Sequence, residues 1–266
     1  MKPTVSIITA TYNSAATIRD CLDSVSSQYV QAEHIIIDGG STDGTLNAVC
    51  SCPHIAKIIS EKDHGIYDAM NKGLELATGE VVGILNSDDF YAGNDTLTKV
   101  AETFADAKVD ACYGDLLYVD PLDTTKIVRK WVSGAYHERC FYGGWMPPHP
   151  TFFVRRSVYE RYGRFDLNLG SAADYELMLR FLLKHKIRTA YIPEVLVKMR
   201  AGGISGASLK NRLVANQMDR KAWKVNGLKC FPWTTYLKPL RKIGQFLPVD
   251  RCAPLRSVTG FVDLIT

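Results

Sequence analysis

The stretch VSIITATYNSAATIRDCLDSVSSQYVQAEHIIIDGG, residues 5–40, decides the fold. VSIITAT (5–11) is a β-branched apolar run. Asn13 and Ser14 then offer caps, and Ile18, Leu22 and Val25 recur at helical spacing. A second apolar run, HIIIDGG (34–40), is closed by two glycines. Continuous apolar strands joined through a helix imply a parallel sheet covered on both faces. The same rhythm runs on. Ser41 or Thr42 can cap a short helix through Val49, and IAKIIS (55–60) reads as a third strand. The segment 65–78 predicts a helix with Ile66, Met70, Leu74 and Ala77 on one side. EVVGILNSDD (80–89) predicts a fourth strand that terminates in acids.

After a helix over 96–106 the pattern changes. Strand-like runs at 110–119 and 126–132 flank PLDTT, a hairpin turn. HPTFFV, a helix over 157–162, a strong helix over 172–186 and the strand-like EVLVKMR (194–200) follow. A last amphipathic helix covers about 206–225. The expected division is one α/β unit over 1–205, with halves 1–109 and 110–205, and a basic helical extension over 206–266.

The 266 residues are 46% hydrophobic and 23% charged, a balance that argues against disorder. No run approaches the ~20 apolar residues of a membrane-spanning helix. MKPTVSIITATYNS lacks a long apolar segment or a small-residue cleavage site, so no secretory signal is expected. Seven scattered Cys, with CSC (50–52) too close for a zinc pair, point to reduced thiols in a cytoplasmic protein. The net charge of +4 hides a division: residues 210–266 hold 11 Lys/Arg against 3 Asp/Glu, and residues 1–209 hold 21 against 25. A basic block of this kind suggests an anionic surface or simply a solvated helix face.

Ligands of open parallel sheets sit at the carboxyl ends of the strands. Here those ends carry Thr9, Thr11 and Tyr12, then Asp38, then Glu61 and Asp63, then Asp88 and Asp89. Converging carboxylates repel one another unless a cation or a hydroxyl-rich ligand compensates them, which favours Mg²⁺ or Mn²⁺ and a phosphate-bearing sugar. TYNSAAT offers no GxGxxG for a dinucleotide, and neither a GxxxxGK[ST] loop nor a Gly- and Arg-rich nucleotidyltransferase loop is present.

ATYN (10–13), IIIDGGSTDGT (35–45), NSDD (86–89) and SAADYELMLR (171–180), in this order, resemble the family-2 glycosyltransferases, over about residues 3–205. The resemblance implies a GT-A fold: a mostly parallel, Rossmann-like sheet flanked by helices. It also implies an inverting, metal-dependent transferase that moves a sugar from a UDP- or GDP-sugar to an acceptor hydroxyl. Thr9 and Tyr12 then line the base pocket, and Asp38 accepts from base or ribose. Asp88 lies near the ribose or donor sugar, and Asp89 is the ligand of Mn²⁺ or Mg²⁺; the first Asp of the DxD element is replaced by Ser87. Asp174 becomes the catalytic base, with Glu176 the next candidate, although the supporting acid often found before it is Ala173 here. GIYDAMNKG (65–73) resembles a subgroup of the family and makes Asp68, Asn71 and Lys72 donor-site candidates, Lys72 substituting for an Arg whose place Met70 takes.

His149, between prolines, could touch the acceptor, complete the metal shell or serve as a loop residue. Trp145 is the aromatic assigned to acceptor stacking, and Trp131 is assigned to the core. MRAGGIS (199–205) reads as a flexible segment able to fold over donor. FPWTTYLKPLRKIGQFLP (231–248) reads either as a basic amphipathic piece on the cytoplasmic face of an inner membrane, suited to a lipid-linked glycan acceptor, or as a segment packed on the domain. A processive synthase is disfavoured because QMDRKAW (217–223) lacks QxxRW spacing. A nucleic-acid partner leaves the acidic crevice without a purpose, and a nucleotide-sugar-binding protein without turnover is the remaining alternative.

Overall fold

A computed structural model describes residues 3–202, 209–241 and 245. Strand and helix alternate first: β1 (Val5–Thr11), α1 (Ile18–Ser26), β2 (Glu33–Asp38), α2 (Thr45–Cys50), β3 (Ile55–Ser60), α3 (Ile66–Leu76) and β4 (Val81–Ile84). β1 is buried throughout. Its side chains alternate with the period of two that a pleated strand imposes. Val5 and Ile7 pack with Cys21 and Val25 of α1, whereas Ile8 and Ala10 pack with Met70 and Leu74 of α3. The four strands stand parallel in the order β3-β2-β1-β4, with Ile8 opposite both Ile35 and Ile84.

The chain continues through β5 (Asp89–Tyr91), α4 (Thr96–Thr103), β6 (Ala111–Val119), β7 (Ile127–Trp131), β8 (Phe153–Arg155), α5 (Arg156–Tyr162), α6 (Ala173–Met178) and β9 (Thr189–Arg200). β8 joins the halves, antiparallel to both β4 and β6, and β9 runs parallel to β6. β6 and β7 form the expected hairpin around PLDTT. The sheet is therefore parallel in its first half and mixed in its second, with helices on both faces.

Several local expectations change. The fourth strand does not reach the acids. It stops at Ile84, and a turn closed by Asp89 N–H to Asn86 O (3.0 Å) starts β5, which pairs antiparallel with β9. Neither Asn13 nor Ser14 caps α1 through its side chain; the Ser14 carbonyl instead accepts from Thr17 and Ile18. At α2 it is Asp43, not Ser41 or Thr42, that accepts from the Thr45 amide (2.9 Å). Ile66 is 48% exposed, while Met70, Leu74 and Ala77 are buried as the helical spacing requires. The helix expected over 172–186 begins as α6 and widens into a π turn, Leu179–Lys184.

α7 (Leu209–Val225) and α8 (Thr234–Arg241) complete the described chain. α7 packs on α6: Trp223 is buried and donates from Nε1 to the Tyr175 hydroxyl (3.0 Å), and Asn226 donates to Glu176 Oε1 (3.1 Å). Over its described part the segment that begins at residue 231 packs on the body through Tyr142 and Asp219, while Phe231, Trp233 and Tyr236 keep about half of their surface exposed. Residues 203–208, which hold part of MRAGGIS, and 246–266 lie outside the described residues. No described helix is long and apolar enough to cross a membrane, and the described cysteines are all free.

Glu176 is buried and receives Arg180 Nε and Nη2, each at 3.0 Å. Removing one member of a buried pair leaves an uncompensated charge, at a cost of about 3–5 kcal/mol. Arg180→Ala is expected to lose about that much stability in urea unfolding, and pairing it with Glu176→Leu to recover most of the loss. A single-variant loss below about 1 kcal/mol would show that the pair does not anchor α6.

Candidate active site

The loops after β1 and β2 are stitched together at the carboxyl edge of the sheet. Asn13, at φ 48°, accepts from the Thr42 amide (2.9 Å) and donates its own N–H to Ser41 Oγ (2.8 Å). Ser14 N–H reaches Thr45 Oγ1, and Ser14 Oγ meets Ser87 Oγ, both at 2.8 Å. This holds Tyr12, 62% exposed, against Gly39. A Cβ at Gly39 would lie 3.4 Å from the Tyr12 ring and 3.1 Å from Asp63 Oδ2, so the glycine keeps open a slot between an aromatic face and a carboxylate.

Thr9 and Asp38 depart from their expected roles. Thr9 is fully buried with its hydroxyl on His34 Nε2 (3.0 Å) and near Cys21 Sγ (3.7 Å), so no hydroxyl contact with a base is open to it. Thr11, two residues nearer the carboxyl end of β1, has a buried hydroxyl without a hydrogen-bond partner among the described residues. Asp38 is buried, and its carboxylate accepts from the Gly40 and Ser41 amides, Ser41 Oγ and Ser60 Oγ. It shapes the 39–41 turn, and its oxygens are already engaged.

Asp88 and Asp89 follow β4. Asp89 is fully buried: Oδ2 accepts from Asn86 Nδ2 (2.9 Å), while Oδ1 and Asn86 Oδ1 have no partner among the described residues. Burial first, then the neighbouring Asp88 charge, pushes the Asp89 carboxyl well above the usual carboxylate range, against smaller opposing effects of Asn86 and Arg200. Arg200, which the sequence reading left inside a strand, donates from Nη1 to the Asp88 carbonyl (2.6 Å) and from Nη2 to Asp20. Its signal was its place at the end of an apolar strand beside a glycine segment.

On α3, Lys72 is held by Asp63 (2.6 Å) and Glu61 (2.7 Å), which raise its pKa, with Asp68 at 3.8 Å. Asp68 accepts from the His64 amide (3.0 Å), fixing the turn into α3. Asn71 does not present its amide to a ligand: it donates to Phe165 O and accepts from Phe165 N, both at 3.0 Å. It is a tether between halves.

Asp174 is half-buried at the start of α6 and accepts from the Tyr175 amide (2.7 Å). A carboxylate in the first turn gains from the helix N-terminus. Tyr67 lies beside it; burial and then the Asp174 charge raise the Tyr67 pKa. His149 is close enough for Asp174 to favour its charged form, but burial dominates and lowers its pKa. Phe165 packs with both rings, 5.3 Å from Tyr67 and 5.7 Å from His149. An aromatic wall therefore flanks Asp174. Glu176, engaged by Arg180 and Asn226, is unsuited as a base. Trp145 leaves the acceptor site as well: it is 5% exposed, donates to Ser133 O (2.7 Å) and packs among Tyr113, Tyr136 and Phe141.

The parallel first half, the β4–β8 junction and the acid pair beside β5 define the GT-A class of glycosyltransferases. The profile described as Glycosyl transferase family 2 matches residues 6–163, and the chain belongs to that family. A PGL/p-HBAD biosynthesis glycosyltransferase of Mycobacterium bovis is 32% identical over 210 residues, 76% of this chain and 79% of that protein. An uncharacterized glycosyltransferase of Mycobacterium tuberculosis is 34% identical over 185 residues, 68% of this chain and 70% of that protein. Among solved structures, a mannosyltransferase from Pyrobaculum calidifontis in complex with GDP-Man and Mn²⁺ superposes with TM-score 0.64 at 24% identity, covering 91% of this chain and 70% of that one. Staphylococcus aureus TarS 1–349 in complex with UDP-GlcNAc gives 0.63 at 19%, covering 88% and 69%. These likenesses in structure establish the fold.

An acid whose folded pKa exceeds its unfolded value holds its proton more tightly when folded, so stability falls as pH rises between the two. For Asp89 that fall begins near the ordinary value of ~3.9. In chelator, the wild-type protein should lose melting temperature relative to Asp89→Asn as pH is raised from 4 to 8, and Mn²⁺ should restore it in the wild type alone. Parallel melting curves for the two proteins would contradict this account of Asp89.

Proposed function

We propose that this family-2 glycosyltransferase moves a sugar, with inversion, from a UDP- or GDP-sugar to a hydroxyl of a glycan or lipid-linked glycan. The observation that carries the reading is Asp89 Oδ1, a buried carboxylate oxygen with no hydrogen-bond partner among the described residues, in a side chain bonded to Asn86, whose own Oδ1 is likewise without one. Such oxygens fit a hard divalent cation, and one or two carboxylates plus substrate phosphates suffice for Mg²⁺ or Mn²⁺. The donor set therefore fits the ion: Asp89 and Asn86 would hold it. When bound, the cation supplies electrostatic stabilisation of the departing diphosphate.

In this reading residues 1–205 are the catalytic domain, with donor half 1–109 and acceptor half 110–205. Tyr12 and Gly39 offer the base a flat slot, Thr11 a hydroxyl at its edge, and Asp88 faces the ribose or donor sugar. Lys72, fixed by Glu61 and Asp63, and Asp68 border the same rim. Asp174 takes the proton of the acceptor hydroxyl, general base catalysis that contributes typically 10²–10⁴-fold. Phe165, Tyr67 and His149 form an apolar wall against which an acceptor ring is placed. That the Mycobacterium bovis relative is a PGL/p-HBAD biosynthesis glycosyltransferase is in keeping with a glycan or lipid-linked acceptor, and the setting we propose is the cytoplasmic face of a membrane.

The test is release of nucleoside diphosphate from a panel of nucleotide sugars with Mn²⁺ and acceptor. Asp174→Asn is expected to lower kcat by about 10²–10⁴ while leaving donor affinity unchanged. Retained transfer by this variant would remove Asp174 as the base. No release from any donor, with acceptors supplied, would count against the whole reading.

A further inference from the structure

The segment after α7 carries a feature that sugar transfer does not use. Phe231, Trp233 and Tyr236 are 49%, 55% and 55% exposed, and the Phe231 and Trp233 rings stack with centroids 5.0 Å apart and planes within 5°. Clustered apolar surface of this kind marks an interaction site. From Arg220 to Lys242 the sequence carries seven Lys/Arg and no Asp/Glu. The acid just before it, Asp219, is buried and accepts both contacts of Lys238 Nζ, at 2.9 and 3.1 Å. Arg220, Lys221, Lys224 and Lys229 are exposed, and the Arg220 guanidinium lies 5.1 Å from the Tyr236 ring centre.

The aromatic ledge is held firmly. Thr234 and Thr235 are buried, and Tyr142 packs on both Phe231 (5.5 Å) and Trp223 (5.1 Å). Gly144, at φ 75°, leaves room for α8: a Cβ there would stand 2.5 Å from the Lys238 nitrogen.

We propose that this ledge seats the protein on an anionic phospholipid surface. The three rings enter the boundary between headgroups and acyl chains, and the surrounding Lys and Arg meet lipid phosphates. Amphipathic aromatics flanked by bases suit that boundary, and each basic group near such a surface adds favourable interaction. Single-stranded nucleic acid stacks its bases on exposed rings; Phe231 and Trp233 turn one face each to one another, and binding to single-stranded DNA is made an outcome of the test. The seat also connects with the proposed base. Lys238 Nζ lies 3.9 Å from the ring centre of Tyr175, the residue after Asp174, and Trp223 bonds the Tyr175 hydroxyl. In its purpose, though not in its binding chemistry, the proposal rests on the transferase reading: a lipid-borne acceptor would arrive on the side of Asp174.

Sedimentation of the full chain with phosphatidylcholine vesicles, with and without phosphatidylglycerol, tests it in the absence of nucleotide. Binding is expected only with phosphatidylglycerol, weaker at least about tenfold for Phe231→Ser/Trp233→Ser, and on the order of fivefold weaker per charge for Lys224→Gln/Lys229→Gln. Melting temperature and transfer to a water-soluble acceptor should stay unchanged in the Lys pair, which guards against a folding defect in the aromatic pair. No binding by wild type, binding by both variants as tight as wild type, or tighter binding to single-stranded DNA than to vesicles would overturn the proposal. Vesicle binding without transfer from any donor would count against the function and leave the ledge standing.

Discussion

The site is organised around a carboxylate that the fold buries without satisfying. Asp89 has one oxygen on Asn86 and one with no partner among the described residues, next to a second acid, Asp88. A buried ionised carboxylate is strongly unfavourable unless paired or bound to a cation. The surrounding structure keeps it there. The turn from Asn86 to Asp89 ends β4 early, β5 pins Asp89 opposite Met199 of β9, and Arg200 holds the Asp88 carbonyl. β9 belongs to the second half of the sheet, so the acid pair of the first half is positioned by the second. That dependence links the mixed topology to the chemistry.

Asp174, on α6, has a different environment. It sits in the first turn of α6, whose far side is fixed by Trp223, Asn226 and the Glu176–Arg180 pair. Of two carboxylates only two residues apart in sequence, Glu176 is buried and spent on Arg180 and Asn226, whereas Asp174 is left partly exposed. Asn71, gripping the Phe165 backbone in both directions, ties α3 to the aromatic wall beside Asp174.

β1, β2 and β4 were legible because strands buried on both faces must be mostly apolar, and the half-exposed edge strand β3 still carries three isoleucines; the acids at the strand ends follow from where such sheets leave room for ligands. The exact depth of a side chain was not. Thr9 and Thr11 point to the same face, so periodicity cannot separate them. Two residues along the strand, about 6.6 Å, decide that one hydroxyl meets His34 and the other is buried with no partner among the described residues. Asn71 with Phe165, 94 residues apart, and Arg200 with Asp20, 180 apart, are partnerships no local pattern encodes. Trp145 is a milder case: Tyr136 and Phe141 lie close to it in sequence, but the ring is enclosed only when Tyr113 of β6 comes against them.

If relief of Asp89 by a cation is what the site depends on, then binding that cation must displace a proton wherever the buried carboxyl is still protonated. Calorimetric titration of Mn²⁺ into the protein with UDP or GDP, in two buffers of different ionisation enthalpy, counts those protons. At pH about 5.5, where an ordinary carboxyl is already ionised, the wild type should release protons and release fewer at pH 8, and Asp89→Asn should bind weakly with no such release. Equal binding by the two proteins, or no proton release at either pH, would contradict the account.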